Sequence, residues 1–374
     1  MPQPATHYLV ARFSIPADFY ELWDQYKNYF GLGSSLPDLF YFPMVPVVGE
    51  EDAAVNDDID WENLANDMHS DKTYDLFCSM LDYAKKIQLE NPEQKDKYLK
   101  LFAVAFGLYS HVVADCIFHP YVYRSTGDFW HSKTPLGELK HKQQEAYIDS
   151  SLFKNFYSDK NSYSRMKIIC DEPQTELLDF DVAKMLSETL TAAYPSMEFF
   201  NQYDYTADSH PLQIAYIKFK ATVSALFQKR DSLMLWGQNA KQAIMDIVHL
   251  FTGDFFEEPY PDAKGLSENS PRQLFIYSVI VCHKIFSEAM QFINSSQTSS
   301  HEYFAEHNTH YLNAGNFNLD TGLLAAFNNE KALLDNGDAR YNFHMQELND
   351  AYNYFKEESN LLHKILLAKH LIKE

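Results

Sequence analysis

DKYLKLFAVAFGLYSHVVADCIFHPYV, residues 96–122, is apolar on almost every side, yet it carries His111, Asp115 and His119. Leu101, Val104, Ala105, Leu108, Val112 and Ile117 leave no broad polar face, so a helix over this stretch belongs inside a protein rather than on its surface. A helix turns by about 100° per residue, which stacks positions four apart on one stripe. His111, Asp115 and His119 therefore look in one direction. A carboxylate inside such a helix is costly unless it is paired or ligates a metal. Two readings stay open for His111 and Asp115 alone: a hydrogen-bonded pair within the core, or half of a metal site.

A second run favours the metal site. LKHKQQEAYIDSSL, residues 139–152, repeats the spacing with His141, Glu145 and Asp149. Two independent stripes of imidazole and carboxylate are what a helical protein needs to close a metal cluster, and zinc accepts both kinds of donor. Upstream, further donors stand where folding can bring them in. His7 lies in a short polar N-terminal segment, Asp38 follows the turn in GLGSSLPD, and His69 precedes a helix in NDMHSDKTYDLF. Taken singly these three also suit a surface, turn or capping role. His301, His307 and His310 in HEYFAEHNTHY lack carboxylates at helical spacing other than Glu302 and Glu306. The acidic run GEEDAAVNDDIDWEN lacks the Gly-centred loop of a calcium hand, so a solvated loop is expected.

The rest of the chain reads as helical. Apolar residues recur at three- and four-residue spacing over 19–30, 71–87, 96–118, 182–194, 214–230, 240–251, 273–293 and 357–373, and strand-like alternation is almost absent. The expectation is an all-α multi-helix bundle. Breakers mark loops at 31–38, 41–60 and 252–273. The last of these separates a first domain over 1–255, which holds both histidine and carboxylate runs, from a helical C-terminal region over 256–374 with a possible membrane or partner contact. At 374 residues with 46% apolar content the chain can bury a large core. The formal charge of −21 argues against a general nucleic-acid binder, so no nucleic-acid partner is expected. Cys78, Cys116, Cys170 and Cys282 show no CxxC spacing and are expected as buried free thiols. The opening MPQPATHYLVARFSIP has no basic segment followed by an apolar one, and no long apolar run is uninterrupted. The expectation is a soluble chain without signal peptide or transmembrane segment, either cytoplasmic or exported by a signal-independent route, as a bacterial effector would be.

The succession His7, Asp38, His69, His111 with Asp115, and His141 with Glu145 and Asp149 resembles the zinc-dependent phospholipase C family of bacteria. ATHYLVARF, SLPDLFYF and GLYSHVVADCIFHPYV look like that family's wider branch, and the resemblance covers about residues 5–150. It implies a cluster of two or three zinc ions. Asp38, His69, His111 and Asp115 would hold one. His141, Glu145 and a further histidine would hold another, with His119 preferred to His131 in GDFWHSKTP. Asp115 and His7 would contact a third. Asp149 would orient a ligand rather than bind.

The activity implied is hydrolysis of a phosphodiester in a glycerophospholipid at a membrane surface, giving diacylglycerol and a phosphorylated head group. Asp38, Asp115 and Glu145 would carry the catalysis, with Asp38 also a possible general base. Tyr41, Phe42, Phe77 and Trp130 are aromatic candidates for a wall around a cationic head group, with core packing the plainer role for each. Two other readings use the same residues: a single-strand nuclease or 3′-nucleotidase, and a non-catalytic helical binding module whose zinc is structural.

Overall fold

The computed structural model describes residues 4–44, 59–126, 177–232, 270–307, 316–319 and 323–324, and within 141–152 all but 143, 146, 150 and 151. The expected helices over 240–251 and 357–373, together with Trp130, His131, Cys170 and His310, lie outside the described residues.

Helix α5, Lys95–Thr126, is the axis of an all-α bundle. Packed on it are α1 (Pro4–Phe13), α2 (Tyr20–Ser34), α4 (Thr73–Glu90), α6 (Phe180–Ala193) and α8 (Ser270–Asn294). The stretch Lys95–His119 is long and apolar enough to cross a membrane, but it is buried within the protein and its hydropathy serves the core. Phe106 meets Phe286 of α8 edge-on at 4.9 Å, and Tyr109 stacks on Phe77 of α4 at 4.2 Å. Fully burying such a ring contributes about 2–3 kcal/mol of transfer free energy, so these contacts fix which way α5 faces. On one side of the bundle α3 (Trp61–Ser70) packs on the 3₁₀ turn Leu39–Met44, which in turn meets α7 (Pro211–Ser232). A short helix α9 (Ser300–Glu306) closes on α4 and α8. The antiparallel pair β1 (Phe317–Asn318) and β2 (Leu323–Leu324) is the only extended pairing among the described residues.

Three elements differ from what the sequence pattern predicts. The glycine-containing stretch expected as a loop from residue 31 is helical as far as Ser34. Gly33 of α2 lies so close to Gly107 of α5 that a Cβ built on Gly33 would sit 2.9 Å from the Gly107 Cα. Here glycine permits a close helix crossing rather than a break, and the tertiary contact outweighs its weak helix propensity. His7 sits within α1, buried, and not in an exposed polar segment. His69 precedes α4 as the sequence places it, but it stands in the last turn of a further helix, α3, which the pattern does not predict; α3 is started by Asp60, whose carboxylate accepts from the Asn63 N–H at 3.0 Å. Cys78, Cys116 and Cys282 are buried free thiols, as expected.

Candidate metal centre

The crossing of α2 and α5 sets the first site residue. With Gly33 against Gly107, the Ser34 carbonyl reaches His111 one turn further along α5 and accepts its Nδ1–H at 2.8 Å. His69 is held in the same way by the Ala65 carbonyl of its own helix, 2.7 Å from Nδ1, and His119 by the Leu319 carbonyl. A carbonyl oxygen only accepts, so each Nδ1 carries the proton. In the neutral ring each Nε2 then presents a lone pair.

What those lone pairs face is the telling feature. Nε2 of His111 lies 3.0 Å from Oδ2 of Asp115, Nε2 of His69 lies 3.3 Å from Oδ1 of Asp38, and Nε2 of His119 lies 3.8 Å from Oε1 of Glu145. Nε2 of His7 adds a fourth approach, 3.3 Å from Oδ1 of Asp115. Acceptor facing acceptor is repulsive unless a cation stands between them. Accordingly Oδ1 of Asp38, both oxygens of Asp115 and Nε2 of both His7 and His111 are buried without a well-formed hydrogen bond. Each such orphan costs about 1–3 kcal/mol in a closed core, which a divalent ion relieves.

The donors gather into three groups, each with its ligand atoms within 4.8 Å of one another: His7, His111 and Asp115; Asp38, His69 and His111; His119, His141 and Glu145. His111 belongs to two of them, and its ring stacks on His7 with centroids 3.7 Å apart. All eight predicted ligands are therefore brought together, from α1, α3, α5, the turn after α2 and the 141–149 helix. Every one of the eight is buried.

Electrostatics suits a cation. Burial alone would raise the Asp115 carboxyl, but His111, His119 and His7 hold it well below the usual carboxylate range. Asp38 is pushed up by burial and brought below its ordinary value by His111, His69 and His7. Burial lowers His119 to about 3 and drives His141 well below the ordinary imidazole value; His7 is lowered by burial and by neighbouring His111. Neutral imidazoles beside ionised carboxylates are the protonation states that bind zinc. The donor set, nitrogen and oxygen without thiolate, fits that ion.

The remaining candidates settle elsewhere. Asp149 accepts from the Thr6 N–H at 3.0 Å and from the Thr6 hydroxyl, so it ties the 141–149 helix to α1 immediately before His7. His301 stands 3.6 Å from Asp75, and His307 hydrogen-bonds the Tyr303 carbonyl at 2.8 Å. Phe77 is a core residue on Tyr109, and Phe42 packs edge-on against Phe219 at 4.8 Å. Tyr41 is half-buried with its ring 5.5 Å from that of His69, and its hydroxyl is 3.1 Å from the Asn66 side-chain oxygen.

The family model for zinc dependent phospholipase C matches residues 6–195, just over half of the chain. The chain belongs to that family. Its zinc chemistry has a matching set of donors here, since the three groups that could hold an ion all lie within the matched residues. No curated protein and no solved structure matches the chain. Sequence reasoning about this phospholipase-type hydrolase missed Thr6, Ser34, Ala65 and Leu319. Three of these act through a main-chain carbonyl, which carries no residue-type signal at all. Thr6 was in principle reachable, because a hydroxyl beside His7 is a natural partner for the Asp149 carboxylate.

Proposed function

We propose that this member of the zinc-dependent phospholipase C family cleaves the phosphodiester of glycerophospholipids, releasing diacylglycerol and a phosphorylated head group. One observation carries the reading: histidine lone pairs face buried carboxylates in three groups, two of which share His111, a geometry that makes sense around several cations. Asp38, His69 and His111, with Asp115 alongside, would hold one ion. His119, His141 and Glu145 would hold a second, and His7, His111 and Asp115 a third. Zinc, when bound, supplies Lewis acidity toward a phosphoryl oxygen and makes water a nucleophile near neutral pH.

The chain's own groups then have separable tasks. Asp115, whose two oxygens face His7 and His111, would offer carboxylate to more than one of the ions. Asp38 is ionised at neutral pH because neighbouring imidazoles favour its charged form, so it can take the proton of the attacking water. Glu145, 2.7 Å from Nε2 of His141, would add negative charge to the second ion beside that ring. Tyr41, half-buried beside His69, offers a ring face to a cationic head group. The ions supply positive charge that a chain of net charge −21 otherwise lacks for an anionic diester.

Metal analysis of the purified chain, combined with assays on phosphatidylcholine, other phospholipids and single-stranded DNA, tests this. Asp115→Asn is expected to lose zinc and to lower phospholipid hydrolysis by at least about a hundredfold, the scale for removing a charged group that supports the reacting centre. Full activity in Asp115→Asn excludes its bridging role. Cleavage of DNA but not of phospholipid assigns the site to a nuclease, and retained zinc without hydrolysis of either assigns a binding module.

A further inference from the structure

The segment 316–319 lies far beyond the residues matched to the family, yet it reaches two of the proposed ligands. The Leu319 carbonyl accepts from Nδ1–H of His119, and the Leu319 N–H donates to the His69 carbonyl at 2.6 Å. Leu319 is fully buried, so neither bond is open to competition from solvent. Three residues earlier, Asn316 anchors the segment. Its side-chain oxygen accepts from the N–H groups of Tyr74 and Asp75, both at 3.0 Å, and its amide donates to Asp75 Oδ2 at 2.9 Å.

The start of α4 needs such a partner. Lys72 precedes the helix in a left-handed conformation, φ 60°, and offers no side-chain cap of its own. The N–H groups of a first turn must find acceptors outside the helix, and the Asn316 carboxamide supplies one from more than 200 residues away in sequence. Asn316 thereby fixes the position of the Leu319 carbonyl, and the Leu319 carbonyl fixes the ring of His119. The χ2 torsion of histidine is broad, so a ring without an outer partner samples orientations in which Nε2 misses the ion.

We propose that Asn316–Leu319 is a positioning strap for the metal centre. It holds His119 in the Nδ1–H tautomer with Nε2 aimed at His141 and Glu145, and it makes the C-terminal region part of the zinc site. The proposal rests on the assignment of His119 as a ligand. Partners that orient ligating histidines are worth roughly 10–100-fold in metal affinity.

The test uses the full-length chain with zinc bound, titrated against a chromophoric chelator. His119→Ala should release one equivalent; if it does not, the ligand assignment fails independently of the strap. Asn316→Ala should weaken that same equivalent by about 10–100-fold while the other equivalents titrate as in the unaltered chain. Ser299→Ala, which removes the cap of α9 from Glu302 N–H, should leave all equivalents unchanged. A result in which His119→Ala loses the ion and Asn316→Ala keeps it at full affinity overturns the strap. A second readout needs no variant to fold: in the metal-free chain the ¹⁵N spectrum of His119 should show the Nδ1–H tautomer with slow proton exchange. An Nε2–H tautomer or a fast-exchanging ring refutes the proposal.

Discussion

Single residues in this protein are set by what their backbone neighbours demand, and His210 illustrates it away from the metal centre. Its Nδ1 accepts the Leu212 N–H at 3.1 Å and so caps the start of α7, while Phe200 and Tyr203 press on the ring. Burial lowers His210 to about 4. The unfolded chain takes up a proton near pH 6.5 that the folded ring refuses, so this contribution to stability is complete above 6.5 and shrinks as pH falls toward 4. His210→Asn keeps a capping oxygen and removes the titration. Urea midpoints of the metal-free chain should therefore decline less steeply between pH 6.5 and 4 in His210→Asn than in the parent, and parallel declines would show that His210 does not titrate in this window. The same scale decides how the site residues were found. His111, Asp115, His141 and Glu145 were legible because helical periodicity sets side chains four apart on one stripe. Ser34, Ala65 and Leu319 were not, because a carbonyl looks the same in every residue.

At the scale of elements the α2 and α5 crossing does the most for the site. Gly33 and Gly107 bring two backbones together, and the Ser34 carbonyl reaches His111 as a result. A methyl group on Gly107 would collide with the main chain of Phe30 and would come within 2.9 Å of the Gly33 Cα, so the helices must separate. Gly107→Ala is expected to destabilise the fold by about 1–3 kcal/mol despite alanine's better helix propensity, and to weaken zinc retention by moving Ser34 away from His111. Denaturant unfolding and chelator competition measure the two effects. A stabilised variant would contradict the close crossing. The sequence pattern located α4, α5, α6, α7 and α8 well, since each carries apolar residues at three- and four-residue spacing. It placed a loop where α2 continues, because Gly31 and Gly33 read as breakers when the facing glycine on α5 is out of view. It also gave no sign of α3, which is short and begins inside an acidic run.

Over the whole molecule, distant parts of the chain converge on one buried centre. α1 brings His7, the turn after α2 brings Asp38, α3 brings His69, α5 brings His111, Asp115 and His119, and the 141–149 helix brings His141 and Glu145. Around them α8, from beyond the expected boundary at residue 255, packs against α1, α4 and α5. That long-range convergence was only partly legible: order and spacing picked out the imidazoles and carboxylates that gather, whereas the arrival of Leu319 and Asn316 depended on contacts that no local pattern encodes. It also means that the ions would join elements which otherwise meet through mutually repelling acceptors, with zinc taking the place of missing hydrogen bonds. The most direct measurement is an anomalous difference map, collected at the zinc edge from crystals of the full-length chain. Peaks are expected among His119, His141 and Glu145, among Asp38, His69 and His111, and beside His7 and Asp115. Zinc bound elsewhere, or these donors closed on one another with no peak between them, would contradict the account.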